Sequence, residues 1–266
     1  MQNLKRTFWG LLAIASLLWL LTDPSVFQSS GFFAIRSAAV QYAGLLAIVC
    51  MSVAMILAIR PRWAERPLGG LDKMYRFHKW LGISALVLAI VHWLWAQAPK
   101  WAVGWGWLER PARGQQVPPS NPVEALFSDL RHTAEGWGEW AFYAVVVLIV
   151  VALVQQVPYR FFYRTHRFLA AAYLVLVFHA IVLTKFSYWV SPLGLMLAVL
   201  LSYGTWAAKV VLLRRVGRAR QVPGRIAALQ YYPGVQALET TIDVEQGWPG
   251  HRPGQFAFAM SDPAEG

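Results

Sequence analysis

The chain has 266 residues, 57% of them hydrophobic and 14% charged, with a mean hydropathy of +0.42. A soluble domain carries about 25% charged residues, so the composition excludes an ordinary cytosolic enzyme. The 14 Trp, 14 Phe and 10 Tyr exclude a disordered chain, and the single Cys50 permits neither an internal disulfide nor a thiolate metal cluster. The formal charge of +11 sits in loops between apolar stretches, which points to membrane topology and away from a nucleic-acid partner.

Six stretches lack Asp, Glu, Lys and Arg: Thr7–Thr22, Ser37–Ile59, Trp80–Pro99, Trp140–Tyr159, Phe168–Thr184 and Phe186–Ala208. About 20 residues cross a ~30 Å hydrocarbon core, so the expected fold is an all-α bundle of six transmembrane helices in contact with lipid. Lys5 and Arg6 before the first stretch also fit a signal peptide, but no A-x-A-like site follows, and a retained helix is expected. Lys185 and Pro192 predict a tight turn between the fifth and sixth spans. In the long connection from Lys100 to Glu139, an irregular proline-containing part precedes a short helix over Val123–Thr133, capped by Asn121. The tryptophans around it, including Trp93, Trp101, Trp105, Trp107, Trp137 and Trp140, read as an interfacial belt.

With the N-terminus inside, 18 of the Lys and Arg residues lie on the cytoplasmic side and 6 outside. That asymmetry predicts an inner (cell) membrane protein with both termini cytoplasmic and the Lys100–Glu139 connection external. The spans define a domain over residues 1–213. Residues 214–266 then hold GRIAALQYY, GVQALETTIDV and PGQFAFAM, alternating runs separated by turn residues, as at the start of a small antiparallel barrel. Three strands alone are too few for a stable unit.

Of six histidines, four fall in two pairs on two helices: His78 and His92 on the third span, His166 and His179 on the fifth. Each pair spans about 20 Å of helix. Fourteen residues leave the rings of His78 and His92 about 40° apart, but thirteen leave His166 and His179 about 140° apart on a straight helix. That offset requires a bulged helix or rings that reach around it. Ionisable residues at this depth usually mark function. If the two helices are neighbours, His78 faces His166 at one level and His92 faces His179 at the other. Each level then offers two imidazoles to a flat metal cofactor such as haem. Zinc would want three or four ligands, and neither acidic residues nor Cys accompany these histidines. A proton relay would recruit intramembrane Asp or Glu. Without a CxxCH motif the haem is not attached covalently in that way. Arg76, Lys79 and Arg167 flank the inner histidines, where they pair with haem propionates or merely mark the cytoplasmic side. His132 reads as a loop residue, and His251 has no identifiable partner.

RFHKWLGISALVLAIVHW and RTHRFLAAAYLVLVFHAIVL, on the third and fifth of six helices, resemble the ferric reductase and NADPH oxidase superfamily, in particular bacterial ferric-reductase-like members. GHRPGQFAFAM resembles the first part of the ferredoxin-reductase-type FAD barrel that follows such membrane domains. The resemblance implies two haem b groups, the inner on His78 and His166 and the outer on His92 and His179. It also implies NAD(P)H and FAD as electron source on the cytoplasmic side and an external acceptor, a ferric complex or oxygen. The nicotinamide part is then expected beyond residue 266 or on another chain. Ala96 stands where oxygen-reducing members carry a further histidine, which argues against efficient superoxide production. The alternative reading is a non-enzymatic haem-binding relay subunit that hands electrons to a partner protein. The barrel strands favour the oxidoreductase.

Overall fold

The structure is a computed structural model that describes residues 2–24, 31–109, 119, 121–248 and 250. The chain divides into two units, Met1–Arg214 and Arg215–Gly266.

Among the described residues, six helices of the first unit are long and apolar enough to cross a membrane. Helix α1 (Gln2–Thr22) leads to α2 (Phe32–Ala58), which is buried along most of its length from Ala38 to Leu57 and packs against α1, α4, α7 and α8. Its strongly apolar face on all sides is the pattern of a central helix. A connection of about two turns, α3 (Arg62–Leu68), carries Pro67 and stops at Gly69. There φ is +84°, a left-handed value that favours glycine, and the N–H groups of Gly69 and Gly70 both donate to the Glu65 carbonyl, at 3.0 and 2.9 Å. The chain thereby turns directly into α4 (Leu71–Gly104), whose 34 residues run about 51 Å. Helix α5 is Pro122–Leu153. Helices α6 (Tyr159–His166) and α7 (Phe168–Leu183) form one interrupted span, and α8 is Pro192–Leu212.

Three expectations change. The short Val123–Thr133 helix and the fourth span are one helix, and it ends at Leu153 rather than Tyr159. The Asn121 cap is present: its side-chain oxygen accepts from the N–H of Val123 at 3.0 Å and of Glu124 at 2.9 Å, with Pro122 in the first helical position. An i,i+4 pair, Arg131 with Glu135 at 3.0 Å, supports the polar first half of α5. His132 therefore lies on a helix, exposed, and not in a loop. The turn between the last two spans is a 3₁₀ segment, Phe186–Val190, and α8 begins only at Pro192, capped by Ser191.

At that turn Asp23, just past α1, is buried. It accepts from Lys185 Nζ at 2.5 Å and from the Tyr188 hydroxyl at 2.6 Å, so α1 is tied to the segment before α8. Thr22 reaches Ser191 Oγ across the same seam at 3.2 Å.

In the second unit β1 (Gly224–Tyr232) and β2 (Ala237–Val244) pair antiparallel. A register shift between Ile226 and Ala228 keeps Ile226 on the face of Leu229 and Tyr231, opposite Ile242, Thr240 and Leu238. The other face carries Arg225, Gln230, Glu239 and Asp243. The described part of the expected barrel is this two-stranded sheet; PGQFAFAM and His251 lie outside the described residues.

Candidate functional site

Helix α4 packs along α2, and α7 packs along α5, while α4 and α7 have little backbone contact with each other. The histidines of α4 face those of the interrupted α6–α7 span, where His166 is the last residue of α6 and His179 lies on α7. The ring centres of His78 and His166 are 6.0 Å apart with planes inclined at 62°, and those of His92 and His179 are 6.2 Å apart at 83°. The two levels are separated by fourteen residues of α4, about 21 Å.

The 140° offset on the fifth span is met by a break. Regular helix stops at His166 and restarts at Phe168, and the Ala170 N–H bonds to Arg167 at i−3. No proline or glycine stands there. Thr165 does, and its hydroxyl donates to the carbonyls of Phe161 at 2.8 Å and Phe162 at 3.2 Å. Such back-bonding from Thr bends helices, and it offers a local cause for the break.

Three of the four rings are held by backbone. Nδ1 of His78 bonds to the Ala54 carbonyl at 2.9 Å, Nδ1 of His92 to Val40 at 2.9 Å and Nδ1 of His179 to Ala134 at 2.8 Å. A carbonyl only accepts, so each Nδ1 carries the proton and each Nε2 keeps its lone pair for a metal. Among the described residues Nδ1 of His166 is buried without a hydrogen-bond partner, and its ring stacks on Phe162 at 4.8 Å.

Two imidazoles on one metal at about 2.0–2.1 Å each, with roughly 1.1 Å from nitrogen to ring centre, have centres about 6.3 Å apart. The observed spacings fit that arrangement at both levels. Among the described residues no group of three or more His, Cys, Asp or Glu gathers to hold a metal ion. The donor set thus suits a metal that brings its other ligands with it, which is the coordination of a haem iron between two histidines.

Arg76 and Lys79 are exposed on the first turns of α4, and Arg167 is half-buried at the helix break with its guanidinium 5.7 Å from the Phe168 ring centre. Trp93 stacks on Phe142 of α5, and Trp80 meets Phe8 of α1 edge to face, so both aromatics next to the α4 histidines pack on neighbouring helices. Cys50 is fully buried between apolar side chains of α2 and α4.

Several contributors have no histidine-like signal in the sequence. Gly44 and Gly138 lie against His92 and His179 so closely that a Cβ on either would press on the ring. Glu139 follows Gly138 and accepts from Gln97 of α4 at 3.1 Å and from Tyr143 at 2.7 Å, so an acidic side chain does stand near this level. Arg36 of α2 donates to the α4 carbonyls of Trp95, at 3.2 Å, and Ala96, at 3.0 Å, one turn beyond His92. The bond to Trp95 has a covalent cause. Pro99 has no N–H, so the Trp95 carbonyl four residues earlier loses its helical partner.

A multi-pass helical membrane protein with two facing histidine pairs on its third and fifth spans is therefore the class that fold and site define. A family model described as the ferric reductase like transmembrane component matches residues 43–177, a little over half of the chain and the whole interval between the Gly44 contact and Val177. The chain belongs to that family, whose members carry out transmembrane electron transfer of oxidoreductase type. No curated protein matches it.

Proposed function

We propose that the protein carries electrons singly across the membrane through two haem b groups, from cytoplasmic NAD(P)H and FAD to an external ferric complex or oxygen. His78 and His166 would hold the inner haem, His92 and His179 the outer. The observation that carries the reading is the pair of facing imidazole couples, each within about 0.3 Å of the spacing two ligands on one metal require. When bound, each haem supplies a one-electron iron couple, and two couples at different depths suit a wire rather than a single catalytic centre.

The chain's own residues do the rest. The Ala54, Val40 and Ala134 carbonyls hold the Nδ1 side of the His78, His92 and His179 rings, which leaves Nε2 free to ligate and makes these ligands more electron-rich. Arg76, Lys79 and Arg167 stand at the His78–His166 end, where cations suit propionates and the cytoplasmic surface alike. The amphipathic β1–β2 hairpin is what the first strands of an FAD barrel over residues 214–266 would look like, with one apolar face to bury.

Haem stoichiometry of detergent-purified protein tests this directly. The wild type should yield two haems per chain by pyridine haemochrome assay, with low-spin spectra. His92→Ala and His179→Ala should each remove one and the same haem, and His78→Ala and His166→Ala the other. A wild-type ratio near zero, or loss of the same haem in His92→Ala and His166→Ala, overturns the assignment.

A further inference from the structure

We infer that Gly44 and Gly138 are positioning residues that seat the outer histidine pair, each forming with the carbonyl one turn before it a socket for an imidazole. The inference rests on the proposed reading of His92 and His179 as ligands. Its basis is a pattern repeated on two helices. His92 Nδ1 bonds to Val40, and the residue at i+4 from Val40 is Gly44. His179 Nδ1 bonds to Ala134, and the residue at i+4 from Ala134 is Gly138.

The spacing has a steric reason. Side chains of an α-helix lean toward its N-terminus, so the residue at i+4 overhangs the carbonyl of residue i. A ring that donates to a helical carbonyl from the side must occupy the space of that overhanging side chain. A Cβ on Gly138 would lie 1.9 Å from His179 Nδ1, 2.5 Å from Cε1 and 2.6 Å from Cγ, which no real contact allows. A Cβ on Gly44 would lie 2.9 Å from His92 Nδ1 and 3.0 Å from Cε1, a milder overlap that a shift of a few tenths of an ångström relieves. The two sockets should therefore respond in that order.

The other level is built differently. His78 reaches the Ala54 carbonyl with Ala58, the last residue of α2, at i+4, so a methyl group is accommodated, and among the described residues His166 Nδ1 meets no carbonyl. The glycine sockets belong to the His92–His179 level alone. Their consequence is a rigid, backbone-defined orientation of both imidazoles at the level that faces the external acceptor.

The test is Gly138→Ala, Gly44→Ala and Gly136→Ala in the full chain, with His179→Ala in parallel. Haem per chain and the low-temperature electron paramagnetic resonance signals of the low-spin irons are the readouts. Gly136 lies on the same helix, two residues from Gly138, and a Cβ there would meet nothing within 4 Å among the described residues, so it controls for helix propensity and folding. Gly138→Ala should fall from two haems to about one, losing the same signal as His179→Ala. Gly44→Ala should keep two haems and shift only that signal, and Gly136→Ala should match the wild type. Two unshifted signals in Gly138→Ala, or loss of both haems together, overturns the inference while His179→Ala still strips one. If Gly138→Ala does not accumulate, Gly44→Ala decides: an unshifted outer signal overturns the inference. If His179→Ala itself keeps both haems, the ligand reading fails instead.

Discussion

One of the two bonds between Arg36 and α4 answers the Trp95 carbonyl that Pro99 leaves without its helical N–H, and a double-mutant cycle can measure that dependence. In the wild type, Arg36 Nε donates to Trp95 at 3.2 Å and Nη2 to Ala96 at 3.0 Å. Hydrogen bonds from a charged donor contribute about 1.5–3 kcal/mol each. Arg36 is only half-buried, and the Nε bond is long, so Arg36→Ala should cost about 2–4 kcal/mol in total. In Pro99→Ala the backbone N–H restored at that position can donate to the Trp95 carbonyl, as in any α-helix. Arg36→Ala should then cost less, with a coupling of about 1–2 kcal/mol between the positions. Pro99→Ala alone should be close to neutral or stabilising, since a proline inside a helix costs about 3 kcal/mol relative to alanine and Arg36 offsets part of that. Denaturant or thermal unfolding of the four detergent-purified proteins, followed by helical circular dichroism, gives the cycle. Equal cost of Arg36→Ala in both backgrounds would refute the claim that Arg36 serves the carbonyl freed by Pro99.

Two further outcomes follow from other seams. Thr165→Val keeps side-chain shape but removes the hydroxyl that engages Phe161 and Phe162, so the α6–α7 break should relax and turn His166 away from His78. The expected result is loss of the His78–His166 haem with a stability change of only about 1 kcal/mol, and retention of two haems with unshifted spectra would show that another feature sets the break. Burial pushes the Tyr188 phenol up from its ordinary value, and the hydrogen bond to Asp23 and that carboxylate's charge add to it. A group that binds its proton more tightly when folded contributes stability that is full below its unfolded pKa of about 10 and is lost as pH rises through the folded value. Melting should therefore fall above about pH 10 in the wild type and fall less steeply in Tyr188→Phe; parallel curves would remove Tyr188 from the alkaline transition.

The amino-acid sequence alone determined the number and apolar character of the spans, because a stretch of about 20 residues without charge has few fates other than a bilayer-spanning helix. It also displayed His78, His92, His166 and His179 at their depths, and the Asn121 cap, because both are local matters of spacing and residue type. The continuity of α5 from the capped helix into the fourth span was hidden by Glu135 and Glu139, whose charges end the apolar stretch at Trp140 when it is read by composition, although one helix carries both. The break before Phe168 was hidden because it depends on a threonine hydroxyl choosing carbonyls of its own helix, without a proline or glycine to announce it. Only the tertiary structure decided which histidines meet, since that requires α4 and the α6–α7 span to be set opposite one another by their packing on α2 and α5. The same holds for the partners of the rings. Val40, Ala54 and Ala134 act through carbonyl oxygens that every residue possesses, and Gly44 and Gly138 act through the absence of an atom. Neither has a letter of its own, and each becomes meaningful only when a ring from a distant helix arrives against it.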